Sequence, residues 1–185
     1  MGAPVWASAA ALSLLSAAVP MSASENAALH WKRGEYQKAI KYWVGAAKAE
    51  DRDAFYNLGQ AHLQGKGVSP NQPAALGFFR KAADLGHPQA REQLGLLLYA
   101  DKDRRMEAIP FLVTAAAKGS HKAAYVLGVA CIRGEEVEKD LARAFVLLSK
   151  AAEGGIEQAR KPLAQLRASM TAADRRRALI LTIDG

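Results

Sequence analysis

The chain repeats itself at a fixed step, and that step limits it to architectures built by stacking one small unit. Three of the Leu-Gly pairs, Leu58-Gly59, Leu94-Gly95 and Leu127-Gly128, are spaced by 36 and 33 residues. A second series, Ala46-Ala47, Ala82-Ala83, Ala115-Ala116 and Ala151-Ala152, is spaced by 36, 33 and 36. In the last three members a glycine follows at a constant offset, as Gly86, Gly119 and Gly155. Two independent series with the same steps point to one structural unit copied in tandem.

Each unit reads as two helices. Ala54 to Gln64 is a first helix, ended by Gly65-Lys66-Gly67; Gln72 to Leu85 is a second, ended by Gly86. Ala75, Phe78, Phe79, Ala82 and Ala83 recur at three- and four-residue steps and form one apolar stripe. Leu141 to Glu153 repeats the pattern with Ala144, Leu147, Leu148, Ala151 and Ala152. Period-two alternation of β-branched residues is nearly absent before residue 179, which argues against a sheet. Aromatics are only 7% of the chain while alanine is abundant, so the core suits helices packed close together. Glycine within a helix costs about 1 kcal/mol relative to alanine. At Gly59, Gly95 and Gly128 that cost is expected to be offset by close approach of a neighbouring helix. Hairpins this short cannot bury their apolar faces alone, so they stack. The expected fold is all-α, a right-handed α-solenoid of stacked helix-turn-helix repeats.

These motifs resemble the Sel1-like repeat family, from about Asp53 to Ile156. The first full repeat carries Leu58-Gly59, Gly65-Lys66-Gly67-Val68 and Lys81-Ala82-Ala83 with Gly86; the third carries Leu127-Gly128, Gly134, Val137, Asp140 and Lys150-Ala151-Ala152. Gly34-Glu35-Tyr36-Gln37-Lys38-Ala39 looks more like the related tetratricopeptide repeat and implies an opening hairpin over about 25–50. Repeats then span about 53–88, 89–120 and 121–156. A closing helix is expected over 157–170 and a C-terminal cap or tail over 171–185, with Thr171 capping one more short helix. The chain departs from the family at His62, Leu98 and Cys131, where tyrosine is common. The middle repeat is three residues short, and Asp101-Lys102-Asp103-Arg104-Arg105 replaces its Gly-x-Gly-Val turn. Pro110 is expected to kink or delay its second helix.

The first 24 residues carry no Asp, Glu, Lys or Arg, and Val5 to Val19 is apolar or small. That run has the length of a signal-peptide core and is shorter than a membrane span. With Pro20 and Ser22-Ala23-Ser24 behind it, it reads as a signal peptide cleaved before Glu25, which places the protein in the periplasm or outside the cell; the alternative is a hydrophobic segment kept as an anchor or a solenoid-end helix. The net charge of +7 is moderate and does not fall in one block, but two groups of basic residues stand out. Lys32, Arg33, Lys38, Lys41 and Lys48 crowd one; Arg160, Lys161, Arg167, Arg175, Arg176 and Arg177 crowd the other. They read as solvated helix faces, with attraction to an acidic membrane surface the sharper alternative. No nucleic-acid motif is present.

Residues fit for chemistry are few. Cys131 is the one cysteine, so no intramolecular disulfide can form, and it is expected to be a small core residue. His30, His62, His87 and His121 have no metal-ligand spacing. His62 is expected to be buried and hydrogen-bonded, Lys66 to sit in an exposed turn, and Glu135, Glu136 and Glu138 to form a solvated turn. No catalytic residue, metal site or cofactor is expected.

The resemblance implies a non-enzymatic protein–protein interaction scaffold, here a monomer of the bacterial cell envelope. The alternative is a cell-wall-acting enzyme or ligand-binding module, which needs convergent polar groups. With Leu-Gly as the core mark, the groove-facing positions of each first helix lie two residues before the leucine and two, five and six after it. These are Tyr56, Gln60, Leu63 and Gln64; Glu92, Leu96, Tyr99 and Ala100; and Tyr125, Val129, Ile132 and Arg133. Trp31 and Lys32 fall on the same wall in the opening hairpin. Tyr, Trp and Arg dominate binding hot spots, so a peptide or protein partner is expected along this wall. Its anchors would be Trp31, Tyr56, Tyr99 and Tyr125.

Overall fold

The computed structural model describes residues 21–183. Among them are ten α-helices and no strand. They run α1 (Ala23–Lys32), α2 (Tyr36–Ala47), α3 (Arg52–Gln64), α4 (Gln72–Asp84), α5 (Pro88–Ala100), α6 (Arg105–Ala117), α7 (His121–Arg133), α8 (Leu141–Glu153), α9 (Arg160–Ser169) and α10 (Ala172–Ile183). Helices pair as α1–α2, α3–α4, α5–α6 and α7–α8, and each hairpin packs on the next through α2–α3, α4–α5 and α6–α7. The result is an α-solenoid of four hairpins closed by two further helices.

The repeated Ala-Ala…Gly motif is the hinge between hairpins. Gly86, Gly119 and Gly155 all adopt left-handed φ values of 83 to 90°. That conformation lets the next backbone N–H turn back: His87 donates to the Ala82 carbonyl, Ser120 to Ala115 and Ile156 to Ala151, each at 2.9 Å. This wrapped helix end satisfies carbonyls that the helix itself leaves unpaired. The opening hairpin makes the same turn with Glu50, at φ 57°, in the glycine position.

Helix starts are set by side-chain caps. Asp51 caps α3, Asn71 α4, His87 α5, Ser120 α7 and Asp140 α8. In the first and third repeats the inner turn is tied by the same bond, Asn71 N–H to the His62 carbonyl at 2.9 Å and Asp140 N–H to Cys131 at 3.0 Å. The shortened middle repeat has instead a single 3-10 turn, Lys102–Arg104, and α6 starts without a side-chain cap. Pro110 does not delay that start. Helix α6 begins five residues earlier, at Arg105, and carries the proline inside it.

The Leu-Gly pairs of the first helices mark close helix crossings. Leu58, Leu94 and Leu127 are buried. A Cβ added at Gly59 would stand 2.7 Å from Phe79, and one at Gly128 2.8 Å from Leu148. Gly95 is less tight, 3.1 Å from Leu112. Cys131 is buried in the last core cluster, and burial pushes its thiol pKa up.

Residues 1–20, most of the expected leader, lie outside the described residues. Ser22 caps α1 in a reciprocal capping box with Glu25, and the Ser24 hydroxyl donates to the Asp51 carboxylate that caps α3. At the other end Pro162 stands in the first turn of α9, and Thr171 and Asp174 cap the start of α10 reciprocally. Helix α10 packs on α8 through Ala178 and Leu181, leaving Leu179 and Ile180 exposed.

Candidate partner-binding wall

The first helices α1, α3, α5 and α7 carry the twelve partner-binding positions expected from the repeat. None of them is buried: Lys32, Gln64 and Arg133 are exposed, and Trp31, Tyr56, Gln60, Leu63, Leu96, Tyr99, Tyr125, Val129 and Ile132 are half-buried.

Position two before the leucine lies over the start of the next first helix. The Tyr56 ring stacks on His87, centroids 4.3 Å apart, and tilts against Phe79 at 5.8 Å. His87 is buried; its Nδ1 accepts the Ala90 N–H at 3.1 Å, and its Nε2 lies 3.5 Å from the Asp53 carboxylate. An accepting Nδ1 places the ring proton on Nε2. Burial, the main cause, holds the His87 pKa below its ordinary value. Along the exposed side of α3 the Gln60 amide donates to the Tyr56 hydroxyl at 2.9 Å, and the Gln64 amide donates to Gln60 at 3.1 Å. Tyr56, Gln60 and Gln64 therefore form one polar ladder at four-residue steps.

Position five after the leucine lies against the inner turn of the next repeat. Trp31 occupies this place in the opening hairpin. Its ring meets Tyr36 edge-on at 4.7 Å and Trp43 at 5.1 Å. The Lys66 ammonium of the following turn sits 5.7 Å from the Trp31 ring and 5.8 Å from Tyr36. Lys66 is exposed in its turn, as expected, and its ammonium also lies over two rings. Tyr99 repeats the arrangement. Its hydroxyl donates to Glu136 at 3.3 Å, and the Arg105 guanidinium lies over its ring at 5.1 Å. Arg105 also donates to Glu136 at 3.1 Å and to the Tyr99 carbonyl at 3.3 Å. Burial, reinforced by the Glu136 charge, pushes the Tyr99 phenol pKa up.

The solvated reading of the acidic turn holds for Glu135 and Glu138 and fails for Glu136. The Glu136 side chain is only 7% exposed, while its neighbour Glu135 is 61% exposed. Arg105 and Glu136 were missed from the sequence because the three-residue deletion, which brings Arg105 up to the next turn, looked like loss of a motif alone. His62 also differs from expectation. Its ring stacks on Phe78 at 5.3 Å, and its enclosed Nδ1 has no hydrogen-bond partner. Tyr125, Val129 and Ile132 pack partly on the last core cluster and keep their remaining surface open.

The wall thus falls into two kinds of position. Trp31 and Tyr99 are engaged between repeats by rings and charges. The Tyr56–Gln60–Gln64 ladder and the Tyr125, Val129, Ile132 and Arg133 series present surface outward. Among the described residues no three His, Cys, Asp or Glu side chains converge as metal ligands would, and no helix is long and apolar enough to cross a membrane.

Stacked hairpins with half-exposed rings on one set of helices define a helical-repeat solenoid. The family model for the Sel1 repeat matches residues 53–87 and 121–156. The chain therefore carries two segments that match the Sel1 repeat, a unit that is generally a protein-interaction module. A Sel1 repeat protein from Oxalobacter formigenes is similar in structure, with a TM-score of 0.68 and 26% identity, over 85% of this chain and 70% of that one. The fold is shared with c5321, a protective antigen of uropathogenic Escherichia coli (TM-score 0.60, 22% identity, 79% of this chain and 40% of that one). An F-box protein of Arabidopsis thaliana is 35% identical over 72 residues, which are 38% of this chain and 20% of that protein. The chain therefore spans one fifth of the length of that curated relative.

Proposed function

We propose that this chain is a non-enzymatic scaffold of the bacterial cell envelope, exported to the periplasm or beyond, which binds a peptide or protein along the wall of its first helices. The observation that carries the reading is the outward ladder of Tyr56, Gln60 and Gln64. Amides at four-residue steps offer donors and acceptors that pair with an extended backbone, and the tyrosine supplies area at low entropic cost. Tyr125, Val129, Ile132 and Arg133 continue the wall two repeats on with an apolar strip and a terminal charge. Trp31 and Tyr99 shape the wall from the seams; the contact anchors are Tyr56 and Tyr125.

Cross-linking in the native cells, followed by identification of the cross-linked partner, is the primary test. Alanine at Tyr56 and at Tyr125 should then each weaken the partner by about 2 kcal/mol, the loss that defines a hot spot. Unchanged affinity in both variants, with intact folding, removes the wall from consideration. Export is tested separately by the mass of the protein from its native host; an intact amino terminus in the cytosol refutes the envelope assignment.

A further inference from the structure

Helices α8, α9 and α10 do not close completely on one another. A cavity of about 390 Å³ remains between them, lined by Phe145, Met170, Ala178, Leu179 and Thr182, with Arg167 and Arg175. Its volume lies within the range of small-molecule sites. Apart from the two arginines the lining side chains are apolar, with the Thr182 hydroxyl spent on the Ala178 carbonyl at 2.8 Å. Leu179 stands 64% exposed at its edge.

The charges around the cavity are unbalanced. Among the described residues neither Arg167 nor Arg175 has an acidic partner. Arg167 lies over the Phe145 ring at 5.6 Å, and the Arg175 guanidinium makes only a long 3.5 Å bond to the Arg167 carbonyl. The nearby acids are already occupied: Asp140 pairs with Arg177 at 2.8 Å, and Asp174 accepts from Thr171. Two guanidinium groups at the edge of an apolar cavity favour a ligand that carries both complements, since planar forks suit a carboxylate or phosphate and the lining suits hydrocarbon.

We propose that this cavity binds an aliphatic anion, a molecule with a hydrocarbon tail and one carboxylate or phosphate head. The tail lies against Phe145, Met170 and Leu179, and the head lies between Arg167 and Arg175. The site is independent of the first-helix wall, because it is built from α8, α9 and α10 alone. The same chemistry is offered by a free aliphatic acid and by an anionic membrane lipid.

Titration of the full chain with decanoate, followed calorimetrically, tests the site. Saturable one-to-one binding is expected, and the neutral 1-decanol should bind at least about tenfold more weakly, because it lacks the charge that the arginines meet. Arg167→Gln and Arg175→Gln should each weaken decanoate by a similar factor, while Arg176→Gln, on the same helix but outside the lining, should not. Sedimentation with phosphatidylglycerol vesicles that decanoate reverses identifies a membrane lipid as the source; decanoate binding without sedimentation identifies a free acid. Absence of saturable decanoate binding, equal binding of decanol, or an equal loss in Arg176→Gln overturns the proposal. The comparison of decanoate with decanol needs no variant, so it stands even if a substitution loosens α10.

Discussion

Replacing Gly59 by alanine adds one methyl group at the tightest of the Leu-Gly crossings. The new carbon would stand 2.7 Å from Phe79 Cε1, 2.8 Å from Cδ1 and 3.0 Å from Cζ. Phe79 is fully buried, with the Tyr56 ring on one side, so its ring has no free space to take. Overpacking of this kind costs about 1–3 kcal/mol. Against it stands the helix preference of alanine over glycine, worth about 1 kcal/mol. Gly77 isolates that second effect, because it lies exposed within α4 and a Cβ there meets nothing within 4 Å. Gly77→Ala should therefore stabilise by up to about 1 kcal/mol and Gly59→Ala should destabilise by roughly 1 kcal/mol, a difference of about 2 kcal/mol. Gly95→Ala, at 3.1 Å from Leu112, should fall between them, and Gly128→Ala should resemble Gly59→Ala. Urea denaturation followed by circular dichroism measures the series, provided the slopes agree, since a repeat array can lose cooperativity. In a chain of this size each kcal/mol moves the melting temperature by roughly 2–4 °C. Equal stabilisation by Gly59→Ala and Gly77→Ala would refute the close-crossing account of the Leu-Gly motif.

Three further expectations follow from local geometry. Glu50→Gly should stabilise by roughly 0.5–1 kcal/mol in thermal melts, because Glu50 holds a left-handed conformation that costs an ordinary residue about 1 kcal/mol or more and that glycine adopts freely. Lys66→Ala should cost about 0.5–1 kcal/mol, the value of an exposed cation over aromatic rings, and the loss should vanish in a Trp31→Leu, Tyr36→Leu background. His87 should make stability depend on pH. Its folded pKa is lowered, so the neutral ring's contribution is complete above about 6.5. It is lost as pH falls from there to the folded value, while the unfolded chain alone takes up a proton. His87→Asn keeps a cap acceptor without the titration; the gap between wild type and variant melts should shrink as pH drops from 7.5 to 5, and a constant gap refutes the assignment.

The two-helix unit, its period and its junctions were legible in the sequence because they depend on local chemistry. The glycine after each of the last three Ala-Ala pairs is readable since left-handed backbone selects glycine. Half-exposure of the first-helix wall also followed from counting, as a helical face is fixed once one core position is known. Which wall residues are tied to the next repeat did not follow. Trp31 meets Lys66 from 35 positions away, and Tyr99 meets Glu136 from 37. Such contacts depend on how far each hairpin is rotated and shifted on its neighbour, which no periodicity encodes.

The sequence by itself therefore determined the helical unit, its stacking and its likeness to the Sel1 repeats. The tertiary structure alone decided that Glu136 is buried beside Arg105, that Lys66 lies over two rings and that His62 keeps an unpaired nitrogen. It also decided that α10 folds back on α8 with two arginines at the edge of an apolar cavity. The physical reason is one of range. Backbone preferences and apolar stripes act within a turn or two of helix, whereas a side chain's partners and solvent exposure are set by whichever distant segment the packing of hairpins brings alongside.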